Sequence, residues 1–183
     1  MTDLTTLAAA KAYSGITSSA DDVMLGSLIA AYSQWVRTFT NRDFTADNYE
    51  IWRDGRDNTF MLLPQYPVID VMVLEIDGKS ISRQSAFGLP GFRFTHREII
   101  LDGGLCFSRG QGNIHVIFAA GYMDVPTDIA QAVNELVGLR YANRDHQGWS
   151  SKSLAGEVVS LVTKDMPASV ATILNQYSRK VPV

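Results

Sequence analysis

Cysteine is almost absent from this chain. Cys106 stands alone, so no internal disulfide framework can form and a reducing compartment suits the protein. Charge is also sparse: Asp, Glu, Lys and Arg make up 19% of residues and the formal net charge is −3. A weakly acidic chain is not built to wrap nucleic acid as its main task, whereas a shortage of charge is compatible with surface buried in an oligomer. Long apolar runs are missing too, and none approaches the ~20 residues that cross a bilayer. Met1-Thr2-Asp3 lacks the basic start and apolar centre of a signal peptide, so a cytosolic, non-secreted product without membrane attachment is expected. Histidine is scarce and scattered: His96, His115 and His146 fall in different predicted elements. With no H-x₃-H or H-E-x-x-H spacing and one cysteine, a structural zinc site is not expected.

What is present is an ordinary globular composition, 46% apolar over 183 residues, enough for one domain, or one domain with an inserted subdomain, around a sizeable core. No internal repeat, low-complexity tract or long linker interrupts it. The N-terminal part reads as helix. Leu4 to Tyr13 is a short candidate, with Thr2 or Asp3 to cap it and Gly15 to end it. After a polar break, Leu25, Leu28, Ile29, Tyr32, Trp35, Val36 and Phe39 recur at helical spacing and predict an amphipathic helix from Val23 to about Thr40.

The pattern changes at Tyr49. Tyr49–Arg53 and Thr59–Leu63 flank a turn-rich Asp54–Asn58 and predict a hairpin. Val68–Ile76 is a β-rich run closed by Asp77-Gly78, Ile81–Gly91 is loop-like, and Phe92–Phe94, Glu98–Leu101 and Asn113–Ala120 predict further strands. Pro126 and the capping candidates Thr127 and Asp128 then open a helix through Ala142. Asn143–Ser153 reads as a polar loop, Val158–Val162 as a short strand or arm, and Pro167 starts a last helix with Val170, Ile173, Leu174 and Tyr177 on one face. The expected fold is therefore α+β: a helical frame of two N-terminal helices, one long and one short C-terminal helix, holding an inserted antiparallel β subdomain. Residues 1–46 and 124–183 form the helical part and residues 47–123 the insert.

No constellation of catalytic residues stands out. Ser150-Ser151-Lys152-Ser153 would need serine at 149 for a Ser-x-x-Lys pattern, and Trp149 stands there. Gly-x-Ser-x-Gly is absent. Gly103-Gly104 and Gly110-x-Gly112 lack the P-loop lysine and do not open onto a helix, so they read as turn glycines. Asp43, Asp47, Asp54, Asp57 and Asp77 are spread over turns without forming an acid–base pair or a metal cage. The C-terminal cations Arg140, Arg144, Lys152, Lys164, Arg179 and Lys180 are interleaved with Asp128, Glu135, Asp145, Glu157 and Asp165, a pattern of ion pairs or solvated faces more than of a phosphate-tracking groove. No cofactor is implied. The wide apolar stripe of the helix from Thr127 to Ala142 fits either the core of a monomer or a wall between subunits.

Ordered pieces of the chain resemble the head–tail connector (adaptor) proteins of tailed bacteriophages. They are Leu4-Thr5-Thr6-Leu7-x₃-Lys11-x-Tyr13-x-Gly15-Ile16, Thr40-Asn41-Arg42-Asp43-Phe44, Leu63-Pro64-Gln65-Tyr66-Pro67-Val68-Ile69, Ala120-Gly121-Tyr122-x₂-Val125-Pro126-x-Asp128, Leu136-Val137-x-Leu139-Arg140-Tyr141-x₂-Arg144, Lys152-Ser153-x₂-Gly156-Glu157 and Leu174-x₂-Tyr177-x-Arg179. The long β region is similar to that of gene-transfer-agent and related siphophage adaptors, whereas Val158-Val159 departs from the aromatic residue that often follows Glu157 in that family. The resemblance implies a structural, non-enzymatic ring, usually of twelve subunits, docked on the portal in the virion neck after assembly in the host cytoplasm. It implies a stopper or tail-completion protein below, and DNA passing through the lumen without sequence-specific binding. By that resemblance Ile129, Val133, Leu136, Arg140, Arg144, Lys152 and Glu157 are expected at the subunit interface. Tyr177, Arg179, Lys180, Val181, Pro182 and Val183 are expected to form a portal-docking arm. The alternative is a small ligand-binding or enzymatic α+β domain whose β insert forms a cleft.

Overall fold

The computed structural model describes residues 2–86, 88–144, 151–154, 157–160 and 166–178. The chain forms two compact units, residues 1–42 with 125–183, and residues 43–124.

The first unit is helical. Helix α1 (Leu7–Ser14) starts later than its apolar spacing suggests, because Thr6 rather than Thr2 or Asp3 is the cap, its Oγ1 accepting from the Ala9 N–H at 3.1 Å. Leu4 lies before the helix yet is fully buried, with its N–H donating to Ser33 Oγ at 3.0 Å. Gly15 ends α1 at a positive φ of 67°, the conformation that glycine adopts without a Cβ penalty. Helix α2 (Asp22–Thr40) is closed by Asn41 in the left-handed region. Helices α3 (Thr127–Ala142) and α4 (Ala168–Tyr177) follow the β unit. Helix α3 is central, packing against α1, α2 and α4. Its buried side chains Ile129, Ala132, Val133, Leu136 and Val137 meet a core that includes Leu25, Ile29 and Val36 of α2 and Val170 and Leu174 of α4. A polar strap crosses this core: Asn134 Oδ1 accepts from Thr5 Oγ1 at 2.8 Å, and Lys11 pairs with Asp22 at 2.6 Å.

The second unit is built from β1 (Asp47–Gly55), β2 (Phe60–Leu62), β3 (Val68–Ile76), β4 (Lys79–Ser80), β5 (Gly91–Phe94), β6 (Glu98–Asp102) and β7 (Gly110–Ala120). They make an antiparallel sheet of order β1-β7-β3-β4 and a second of order β2-β6-β5. The hairpin expected between Tyr49–Arg53 and Thr59–Leu63 does not form. Strand β1 pairs with β7 and β2 with β6, because the intervening turn is tied elsewhere: the Asp57 N–H donates to the Phe107 carbonyl at 2.8 Å and the Asp57 carboxylate accepts from the Arg109 N–H at 2.8 Å. Asp77-Gly78 does make a hairpin, between β3 and β4, with positive φ at both residues as a type I′ turn requires. Strand β7 lies between β1 and β3 and buries Ile114, Val116, Phe118 and Ala120 in strict alternation against a core that includes Leu74, Ile99 and Phe107.

Beyond α3, β8 (Ser151–Leu154) and β9 (Glu157–Ser160) pair antiparallel with Leu154 opposite Glu157 and Lys152 opposite Val159. The sequence predicts loop over the first of these segments and only part of the second as strand.

Candidate assembly site

Helix α4 ends on Tyr177, and its last turn is held from two sides. The Tyr177 hydroxyl donates to the Asp128 carboxylate, 2.8 Å from one oxygen and 3.0 Å from the other. Asp128 sits in the first turn of α3, where the positive end of the helix dipole favours a carboxylate, and it also accepts from the Ile129 N–H at 2.9 Å. Neither Thr127 nor Asp128 acts as the helix cap, a position taken by Pro126. The Arg42 guanidinium, almost wholly buried, lies 5.8 Å from the centre of the Tyr177 ring and donates to the Tyr177 carbonyl at 3.4 Å. Ser178 then turns to extended backbone. Tyr177, expected within the portal-docking arm, is packed into the helical unit. Arg179, Lys180, Val181, Pro182 and Val183 lie outside the described residues.

The residues expected at a subunit interface separate into groups. Ile129, Val133 and Leu136 are brought together, but inside the core of their own unit. A side chain enclosed by α1, α2 and α4 has no surface left for a neighbour, which corrects the expectation for these three. Arg140 is exposed on the last turn of α3. Arg144 is half-buried, its guanidinium 4.1 Å from the centre of the Tyr141 ring and bonded to the Tyr141 carbonyl at 3.0 Å, while the Tyr141 hydroxyl donates to Asp21 at 2.6 Å. Lys152 and Glu157 lie on β8 and β9 and are not cross-strand partners.

The β unit carries two polar clusters that sequence spacing does not connect. On one face of the larger sheet His115 lies between Glu50, 2.9 Å from Nε2, and Glu75, 3.3 Å from Nδ1, with the exposed Trp52 ring stacked on the imidazole at 4.3 Å. The hydrogen bond to Glu50, helped by that to Glu75, raises the His115 pKa above its usual 6.5. At the end of the same sheet, Asn113 donates to Asp77 at 2.9 Å and to the Ser108 carbonyl at 2.9 Å and accepts from the Gly55 N–H at 2.9 Å. The Ser108 hydroxyl also donates to Asp77. These two donors, Ser108 first, hold the Asp77 carboxyl below its usual value of 3.8. The Gly112 N–H is taken by Asp54 at 2.6 Å, so this glycine turn already has a carboxylate where a phosphate loop would bind its ligand. Among the described residues no group of three or more His, Cys, Asp or Glu side chains could hold a metal ion, and no helix is long and apolar enough to cross a membrane.

A model of the head completion protein family matches residues 3–181. The chain belongs to that family. Its role is accordingly that of a structural connector between head and tail. No curated protein matches the sequence. In fold, the chain is similar to one in the neck of an empty GTA particle with C6 symmetry, at a TM-score of 0.61 and 18% identity, with 97% of this chain and 90% of that chain covered. It is also similar to a chain of the virion of the native gene transfer agent (GTA), at 0.60 and 21% over 97% and 90%. A third is a chain in the neck of the native GTA particle with C12 symmetry, at 0.57 and 19% over the same shares.

Two features of this family member escape a reading by periodicity. Trp35 and Phe39 fall on the predicted apolar face of α2, yet they are 37% and 36% exposed. Their positions lie on the flank of the stripe, whereas its centre at Leu25, Ile29 and Val36 is fully buried and Leu28 and Tyr32 are half-buried. Arg42 gives no signal at all, since nothing in a post-helical Asn-Arg-Asp marks the cation as interior.

Proposed function

We propose that the chain assembles into a ring of about twelve copies that docks on the portal in the virion neck and joins the head to the tail or stopper protein. DNA passes through the lumen without sequence-specific binding, and the chain has no catalytic role. Arg140, Arg144, Lys152 and Glu157 supply polar contacts between neighbouring copies, and residues 178–183 form the arm that engages the portal. The ordered adaptor-like motifs and the sixfold and twelvefold symmetry of the GTA necks support the ring.

The observation that carries the arm is the fixation of Tyr177 by Asp128 and Arg42. The fixation sets the point at which the segment starts, so docking does not have to order the helix end as well. Electron microscopy of portal-containing capsids is expected to show added density beneath the portal only when the full chain is supplied. A chain ending at Tyr177 should keep its helical signal and melting temperature but leave no such density. Undiminished docking of the shortened chain rejects the arm, and no association of the full chain with purified portal rejects the ring.

A further inference from the structure

Helix α2 carries an apolar flank that its own unit leaves partly open. Met24, Leu28, Ala31, Trp35 and Phe39 follow one another at spacings of three and four residues, which places them in one row along the helix. Trp35 and Phe39 are exposed by over a third, and their rings stack on each other at 5.3 Å with planes 24° apart. The face is also free of charge. Between Asp22 and Thr40 the ionisable side chains are Asp22, paired with Lys11, Tyr32, and Arg37, which is buried. A solvated helix face normally carries Lys and Glu. Exposed aromatics with no charged residue among them are the composition of an interface centre.

We infer that this flank of α2 is the seam along which one copy of the chain meets the next, seated on the outward face of the neighbouring copy's α1. The occupant is chosen by charge and by size. The outward face of α1 presents Ala8, Ala9 and Ala12, all exposed, with the exposed Tyr13 at its C-terminal end, while the one cation of that helix, Lys11, is turned to Asp22. Two faces without ions come together with no charge to desolvate, and small alanines leave room for the Trp35 and Phe39 rings. The exposed positions of α4 are uncharged as well, but they carry Thr172, Asn175 and Gln176, whose polar groups would lose water against an aromatic surface. Helix α3 offers no apolar seam, since Ile129, Val133 and Leu136 are interior. A contact in which α2 of one copy meets α1 of the next is heterologous, the kind of contact that forms a ring when its rotation closes. The inference rests on the ring reading above.

The test uses the full chain with purified portal. Trp35→Asp with Phe39→Asp is expected to keep the circular dichroism and melting curve of the parent and to lose the ring density beneath the portal. Should that pair unfold, Trp35→Ala with Phe39→Ala is read in the same way. In a Cys106→Ser background, Ala9→Cys with Trp35→Cys is expected to give a ladder of disulfide-linked multimers on portal-bound rings. Rings that persist in a folded Trp35/Phe39 variant, or rings that give no ladder, overturn the seam while leaving the ring itself intact. A parent chain that forms no ring on the portal overturns the ring reading and the seam with it.

Discussion

Tyr177 and Asp128, at the last turn of α4 and the first turn of α3, share a hydrogen bond of 2.8 Å between phenol and carboxylate. The bond joins two helix ends separated by 49 positions in sequence, and it sets where the C-terminal segment leaves the unit. Tyr177→Phe is expected to destabilise the protein by about 1.5–3 kcal/mol, the range for a hydrogen bond to a charged group. Asp128→Asn should cost a similar amount, and the double variant should cost less than the sum because both changes remove one interaction. Urea unfolding of the four proteins measures this directly; strictly additive losses would falsify the coupling.

The His115 cluster makes the β unit sensitive to pH. The imidazole has carboxylates at both nitrogens, Glu50 and Glu75, and only the protonated ring can donate to both. Its folded pKa lies above the usual 6.5. The contribution to stability is therefore complete below about pH 6.5 and is lost as pH rises through the folded value. Melting temperature should fall over that window, and His115→Gln should flatten the slope. Asp77 has the opposite sign: its carboxyl is held below 3.8 by Ser108 and Asn113, so its contribution is present above that value and disappears as pH falls. A His115 titration by NMR that lands at or below the value of a free imidazole rejects the first of these.

Two features favour glycine at position 121, and they can be measured apart. Its φ is +118°, and a Cβ there would sit 2.3 Å from the Thr45 carbonyl oxygen. Gly104 also has positive φ, +81°, but nothing within 4 Å of its Cβ position. Gly104→Ala should thus cost only backbone strain, about 1–3 kcal/mol. Gly121→Ala should cost clearly more, since the chain at Thr45 and Ala46 must move. Equal losses in the two variants would show that the close approach to Thr45 is unimportant.

Much of this fold is written locally in the chain. The three- and four-residue spacing of Leu25, Ile29 and Val36, the stop at Gly15, the turn at Asp77-Gly78 and the start after Pro167 each act within a few residues, and each element forms where those signals sit. Strand partnership is different, because it is decided at long range. Thr59–Leu63 carries a clear strand pattern, but its pairing with β6 instead of β1 depends on the tie from Asp57 to Phe107, fifty positions away. The apolar positions of α3 proved interior, since periodicity reports that a face is apolar and not what covers it, and the exposure of Arg140 is what any surface cation shows.

The division within α3 gives the last prediction. Leu136 is 1% exposed and enclosed by the other helices, so Leu136→Ala should destabilise the monomer by about 2–5 kcal/mol through lost burial and a residual cavity. Arg140 is exposed and makes no contribution to that core, so Arg140→Glu should shift stability by no more than about 0.5 kcal/mol. Assembly should respond in the reverse order at temperatures where both variants are folded. Leu136→Ala keeps the surface intact and should still form rings on the portal, while Arg140→Glu, on the proposal that Arg140 contacts the neighbouring copy, should weaken them. Electron microscopy of both variants with portal, beside their unfolding curves, separates core from contact. Intact rings with Arg140→Glu and absent rings with a folded Leu136→Ala would return the buried stripe of α3 to the interface and remove the cation from it.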